Sequence, residues 1–251
     1  MDARNLIRHR FDILWKDISP ADNNQVFFAA GNIDFTIRDV AIIAGQIPAI
    51  HKGFRSFVRA IVITSQHAVG MHSKLTYMPF IIRAVVDGLK HFPILNAAVR
   101  GTDIIFRKQI NLGIAVALDW GLIVPVIRNA DDLSLTGITR SLNDLAERAR
   151  AKKLRPEEVQ GGTFTITNPG GFGSVMGTPI INQPQVAILC IGTIEKRPKV
   201  VTGPDGEDTI AIRTCAYFSI SFDHRIIDGA AADGFMAHVK RYMEQFPDGA
   251  L

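Results

Sequence analysis

Ile210–Gly229, IAIRTCAYFSISFDHRIIDG, is the stretch whose reading decides the fold. Its first part, Ile210–Ser221, is an apolar run rich in branched and aromatic residues, which predicts a β-strand. The strand then delivers His224 into a polar turn, with Asp228 four residues later and Gly229 after it. A strand end is rigid, so such a turn holds an imidazole at the sheet edge where a substrate can reach it. Histidine is also the natural general base near neutral pH. Two readings of the turn stand side by side. His224 acts as a base, or it only satisfies turn backbone groups while Asp228 caps the helix that follows.

Working outward, a final amphipathic helix is predicted from about Ala230 to Glu244, with Phe235, Val239 and Tyr242 on one side. Upstream, Thr163–Thr167 and Val186–Thr193 read as apolar strands separated by glycine-rich turns. A polar segment containing GPDGED joins the second of these to the Ile210 strand. Ser134 is a good N-cap for a helix running to about Lys153, with Leu135, Ile138, Leu142, Leu145 and Ala149 on one face. Ile94–Val99, Asp103–Arg107, Ile110–Leu118 and Leu122–Ile127 read as short strands. Ahead of them Thr76 is the expected cap of a helix with Pro79 in its first turn, ended by His91-Phe92-Pro93. Strands arrive in runs, without the alternation of a doubly wound fold. The class is therefore α/β with a largely mixed sheet, in one domain over residues 1–251. Within it, residues 1–73 are irregular in pattern and 74–251 are well punctuated.

The bulk composition sets limits. Hydrophobic residues make up 47% of the 251 and charged residues 21%, the ordinary balance of a soluble protein with a sizeable core. No apolar run approaches the roughly 20 residues of a membrane span. The N-terminus carries charges throughout, so neither membrane nor secretory signal is expected. Cys190 and Cys215 both fall in strand-like runs; no disulfide framework is expected, which suits a cytoplasmic location. One basic cluster, Arg148, Arg150, Lys152, Lys153 and Arg155, sits at the end of a predicted helix, where cations favour the dipole and face solvent. Contact with nucleic acid is the competing reading, without a nucleic-acid module beside the cluster to support it. A basic patch beside a site for an anionic cofactor is a third.

Two further stretches carry chemistry. Gly161–Gly171, GGTFTITNPGG, is a strand running into a turn where glycine supplies positive φ. Thr163, Thr165 and Thr167 share one strand face, so spacing singles out none of them. Asn111–Ile127, NLGIAVALDWGLIVPVI, reads as a strand pair with Asp119 before its turn, and a plain turn aspartate is a fair reading of it.

Taken together, DHRIIDG, GGTFTITN, GGFGSVMGTPIINQPQVAIL and GLIVPVI resemble the catalytic core of the dihydrolipoyl acyltransferases of 2-oxoacid dehydrogenase complexes. The resemblance spans roughly Lys74 to Leu251. It implies a chloramphenicol-acetyltransferase-like two-layer sandwich, with a mixed sheet and flanking helices. It also implies acyl transfer between dihydrolipoamide and coenzyme A by direct thioester exchange. On this resemblance His224 is the base, Thr167 donates to the oxyanion and Asp228 orders the turn around His224. Asp119 would help organise the site through an arginine partner, for which Arg55 and Arg59 are candidates. Coenzyme A is a substrate and the lipoyl group comes from a separate lipoyl domain, so the chain is read as the core alone. No metal is assigned, and coenzyme-binding residues are not assigned.

The partners implied are two further copies in a homotrimer, the building block of a larger hollow core, with lipoyl domains and dehydrogenase components around it. GGFGSVMGTPIINQPQ leans toward succinyl-transferring relatives. The rivals are a free-standing acetyltransferase of the chloramphenicol type and a non-catalytic scaffold subunit. Three departures stand out: Cys190 occupies a position where relatives often have glycine, the Asp119 turn is shorter than in many of them, and the opening helix and Pro-His turn are not clear before Lys74.

Overall fold

The computed structural model describes residues 26–37 and 76–246. The expected opening segments outside those spans, and both arginine candidates, Arg55 and Arg59, lie outside the described residues.

Strand β1 (Val26–Ile37) is followed by helix α1 (Met78–His91) and the hairpin β2 (Ala97–Arg100) and β3 (Asp103–Phe106). Then come β4 (Leu112–Ile114), β5 (Val116–Leu118), β6 (Gly121–Ile123), β7 (Val126–Ile127) and helix α2 (Leu135–Arg150). The chain closes with β8 (Phe164–Thr167), β9 (Ala187–Ile191), β10 (Glu195–Thr202), β11 (Asp208–Asp223) and helix α3 (Gly229–Glu244). The main sheet runs β1-β11-β9-β8-β4-β7, with β10 added along β11. Its centre is parallel (β4, β8, β9) and its flanks antiparallel, so the expected mixed sheet with flanking helices is what forms.

The two-residue period of the strands sorts the side chains. Phe164, Ile166, Ala187, Leu189, Ile191, Ala216, Phe218, Ile220 and Phe222 face one continuous core with the apolar stripes of α1, α2 and α3. Phe235 of α3 is fully buried against Phe164 (ring centroids 5.8 Å apart) and lies edge-on to Phe92 (6.5 Å). The opposite face carries Thr163, Thr165, Ile188, Cys190, Ser219 and Ser221, all buried but outside that core. Two of the polar groups there are tied to loops: Ser219 Oγ donates to the Gly177 carbonyl and Thr165 Oγ1 donates to Gln185 Oε1 at 2.6 Å.

Helix α2 matches its expectation closely. Ser134 caps it by accepting from Gly137 N at 3.2 Å, and Leu135, Ile138, Leu142, Leu145 and Ala149 are buried. Part of the basic cluster at its end is paired locally. Arg148 pairs with Asp144 and Glu158 at 2.7 and 2.6 Å, Arg155 also reaches Glu158, and the Lys152 ammonium lies over the Trp120 ring. The Arg148 guanidinium, helped by the Arg155 backbone N–H, holds the Glu158 carboxyl down to about 2.

Elsewhere the structure corrects local expectations. Thr76 does not cap α1: the N-cap is Tyr77, without a side-chain hydrogen bond, and the helix starts one residue later with Pro79 in its first turn. Residues Pro93–Asn96 form a 3₁₀ turn, so the strand expected from Ile94 begins at Ala97. The runs Ile110–Leu118 and Leu122–Ile127 are each split. At Ala115 the chain leaves the sheet to build the separate β5–β6 hairpin, and Pro125, lacking an N–H, stands outside the strands on its return. Glu195–Thr202, expected as a polar connector, is an eight-residue strand paired with β11 from Glu195↔Cys215 to Thr202↔Asp208.

Phe235→Ala removes a ring that joins α3 to the sheet. We expect a loss of about 3–5 kcal/mol, read as a lower denaturant midpoint at unchanged protein concentration.

Candidate active site

His224 follows β11 at the sheet edge and is exposed. Two buried anchors hold its turn in place, Phe222 at the strand end and Ile227 beyond it, each about 1% accessible. The Phe222 and His224 rings lie 5.4 Å apart. Between the anchors Asp223 organises the turn. Its backbone carbonyl accepts from Ile226 N and Ile227 N at 3.2 and 3.0 Å, and its own N–H donates to the Val186 carbonyl at 2.8 Å. Its carboxylate takes both Nε and a terminal nitrogen of Arg225, the shortest contact being 2.6 Å, and also accepts from the Arg225 backbone N–H. His224 is thus bracketed by an ion pair two residues wide. That hydrogen-bonded guanidinium holds the Asp223 carboxyl below the usual carboxylate range, against the opposing effect of burial. Asp223 and Arg225 stand at i, i+2 spacing around the histidine, a signal present in the sequence to which the expectations above assign no role.

Asp228 is the N-cap of α3 and accepts from Ala231 N at 2.7 Å. This is the capping arrangement, and it fixes where the helix leaves the His224 turn. Asp119 sits exposed at the tip of the β5–β6 hairpin, in the turn between Leu118 and its pairing partner, the positive-φ Gly121. No ion pair reaches it among the described residues.

Thr167 ends β8. Of the three threonines on its face, two have hydroxyls already engaged. Thr163 Oγ1 donates to the Asn111 carbonyl and accepts from Asn111 N, while Thr165 donates to Gln185. The half-buried Thr167 hydroxyl makes no hydrogen bond to another described residue. Hydrogen bonding therefore separates three positions that periodicity leaves equivalent. The turn after Thr167 packs so closely that a Cβ on Gly170 would collide with the Gly192 backbone, and one on Gly192 with the Val175 carbonyl. Thr193 Oγ1 donates to the Gly170 carbonyl at 3.0 Å and secures the same contact.

The sheet keeps Thr167 and His224 apart. Thr167 pairs with Cys190, which pairs with Ser219, and His224 lies five residues further along the chain. At roughly 3.3 Å per residue and 4.8 Å per strand, that is about 16 Å along the sheet and about 10 Å across it. Asp119 lies off the Thr167 end, since β4 runs parallel to β8 and the hairpin continues beyond it. The chain consequently carries Thr167 and His224 at opposite ends of its sheet. Cys190, between them, is buried, and burial pushes its thiol up, away from the thiolate a nucleophile needs.

Residues 54–250 match the family of 2-oxoacid dehydrogenases acyltransferase, catalytic domain. The chain belongs to that family. A dihydrolipoyllysine-residue succinyltransferase component of the 2-oxoglutarate dehydrogenase complex, from Bacillus subtilis (strain 168), is 47% identical over 171 residues. The match takes in 68% of this chain and 40% of that protein. The chain thus spans well under half the length of that relative. Among solved structures, a probable dihydrolipoamide acetyltransferase from Listeria monocytogenes 4b F2365 superposes with a TM-score of 0.75 at 32% identity, covering 100% of this chain and 95% of that one. A truncated catalytic core of the 2-oxoacid dehydrogenase multienzyme complex from Thermoplasma acidophilum gives 0.68 at 33%, covering 100% and 99%. The fold expected from the acyltransferase resemblance is therefore present, and the family match begins some twenty residues before Lys74.

Arg225→Ala should raise the Asp223 carboxyl toward its ordinary value of about 3.9. A carboxyl whose folded pKa is depressed adds stability that is fully present above its unfolded value and disappears as pH falls through the folded one. The variant should therefore be less stable than the parent at pH 7, with the gap closing at pH 2. Denaturant unfolding at both pH values checks this.

Proposed function

We propose that the chain transfers an acyl group between dihydrolipoamide and coenzyme A, with His224 as general base. The observation that carries this reading is an exposed imidazole held in an ion-paired turn between two buried anchors, in a chain of the acyltransferase family. His224 takes the proton from the coenzyme A thiol, and the thiolate attacks the acyl thioester carbonyl of the lipoyl arm. The oxyanion that forms accepts a hydrogen bond from Thr167. Collapse breaks the bond to the dihydrolipoamide sulfur, which recovers the proton from His224. Acyl-coenzyme A and dihydrolipoamide are the products, and the reverse direction uses the same groups. No cysteine, metal or covalent enzyme intermediate enters this scheme.

Because one protomer holds Thr167 and His224 at opposite sheet ends, the working site joins His224 of one copy to Thr167 of the next. Exposed apolar side chains support such packing: Phe172, in the turn after Thr167, is 78% accessible, Ile180 is 85% accessible, and Ile210 of β11 is 80% accessible. We read the assembly as a cyclic trimer, built into a larger core that receives lipoyl domains and works with a dehydrogenase component in the cytoplasm. Among the described residues no helix is long and apolar enough to cross a membrane. Succinyl is the favoured acyl group, on the GGFGSVMGTPIINQPQ segment, and Asp119 organises the Thr167 half of the site.

Acetyl-, succinyl- and isobutyryl-coenzyme A, each supplied with dihydrolipoamide, test this directly. We expect turnover with at least one donor, lost in His224→Ala and lowered about 10²–10³-fold in kcat in Thr167→Val. Co-assembly of these two inactive or impaired variants should restore part of the activity, because some junctions then contain both intact halves. Undiminished turnover in His224→Ala would sink the mechanism, and failed complementation would sink the shared site. An assembled core silent with every donor would point to a scaffold.

A further inference from the structure

Away from both half-sites, Asp87 and His91 of α1 meet His238 of α3. One carboxylate oxygen and one nitrogen from each ring lie within 4.8 Å of one another. Asp87 Oδ2 is 2.7 Å from His238 Nε2 and 3.6 Å from His91 Nδ1, and the two imidazole rings sit 4.3 Å apart. We propose that Asp87, His91 and His238 form a binding site for a borderline divalent transition ion such as Zn²⁺, bridging α1 to α3.

The donor set has the right chemistry, since two imidazoles and one carboxylate are the ligands such ions prefer. Its spacing is also right. Tetrahedral bonds of 2.0–2.2 Å put ligand atoms about 3.3 Å apart, a value lying between the 2.7 and 3.6 Å observed. Asp87 and His91 are one helical turn apart, so they reach the same point from one face of α1. His238 approaches from the packed neighbour. His91 Nδ1 also lies 2.9 Å from the Asp87 backbone carbonyl, a hydrogen bond that ligation through Nδ1 would replace. The side chains of His91, Asp87 and His238 are 58%, 32% and 19% accessible, which leaves a path for the ion and a fourth position open to water. The effect of the ion would be mechanical. It would clamp α3, whose capped start follows the His224 turn, onto α1 across the Phe92–Phe235 contact. The competing account is that the Asp87–His238 hydrogen bond and the stacked rings staple the helices without any ion.

Titration of the assembled, tag-free protein with Co²⁺, read by visible absorption and reversed with Zn²⁺, decides between them. We expect one ion per chain with the intense bands of a four-coordinate site, and a higher Tm with Zn²⁺ present. His91→Ala, at an exposed position that tolerates truncation, should weaken Co²⁺ binding by more than the about 10–100-fold typical of outer-shell partners alone. His238→Gln, which keeps a donor for Asp87, should do the same. His224→Ala should leave the spectrum intact. Absence of Co²⁺ bands, or bands that persist undiminished in His91→Ala and His238→Gln, would overturn the site. Neither readout depends on acyl transfer, so this proposal and the catalytic one fail separately.

Discussion

The strict two-residue alternation of β11 is the constraint on which most of the molecule depends. Phe218, Ile220 and Phe222 go to the helix-covered core, while Ser219 and Ser221 go to the other face. A slip of one residue would exchange those sets and put two hydroxyls into an apolar interior. Pairing on both edges makes such a slip difficult. β1 runs along one edge, and β9 and β10 divide the other between them. The same register determines where the strand ends, and with it the position of His224. Phe222 is the last apolar anchor of the strand, Asp223 turns the chain, and Ile227 re-enters the core before Asp228 opens α3. Core packing and imidazole placement are therefore consequences of one pattern.

That pattern also explains what could be read from the sequence. Apolar alternation and a good cap are local signals, and they located β8, β9, β11, α2 and α3 within a few residues. Misses occurred where a local signal was overridden or absent. Thr76 offered a hydroxyl, but the chain begins its helix past Tyr77, with Pro79 supplying the preset φ instead. The apolar run Ile110–Leu118 gave no hint of the break at Ala115, which arises because β4 must stay between β7 and β8 while the following residues pair with β6. β10 was missed because EKRPKVVT is charged and contains proline. As an edge strand it tolerates both, and its alternation shows only once β11 lies beside it.

Within the candidate site the division is similar. His224 and Asp228 were visible as a turn followed by a helix start. Thr167 was not distinguishable from Thr163 and Thr165 by spacing, since all three point the same way. The distinction rests on partners remote in sequence, Asn111 for Thr163 and Gln185 for Thr165. The Asp87–His91–His238 cluster shows the same limit. Its helical half is readable as an i, i+4 pair, but its third member is 147 residues beyond His91 and meets it only through packing of α1 on α3.

The placement of Thr167 and His224 at opposite ends of one sheet then has a physical logic. A site built within one protomer would need both groups on neighbouring strand ends, where the sheet edge is open to water on one side. Dividing the groups between ends lets each be held by a rigid local device: the Asp223–Arg225 ion pair for His224, and the close Gly170–Gly192 approach with Thr193 for Thr167. Junctions between copies would then bring the two together and exclude water in the same step, which strengthens hydrogen bonds to a developing oxyanion. The exposed Phe172 in the turn after Thr167 is the kind of side chain such a junction would cover. On the proposed reading association and catalysis would be coupled, because the exposed Phe172 in the turn after Thr167 would be covered as the site is completed.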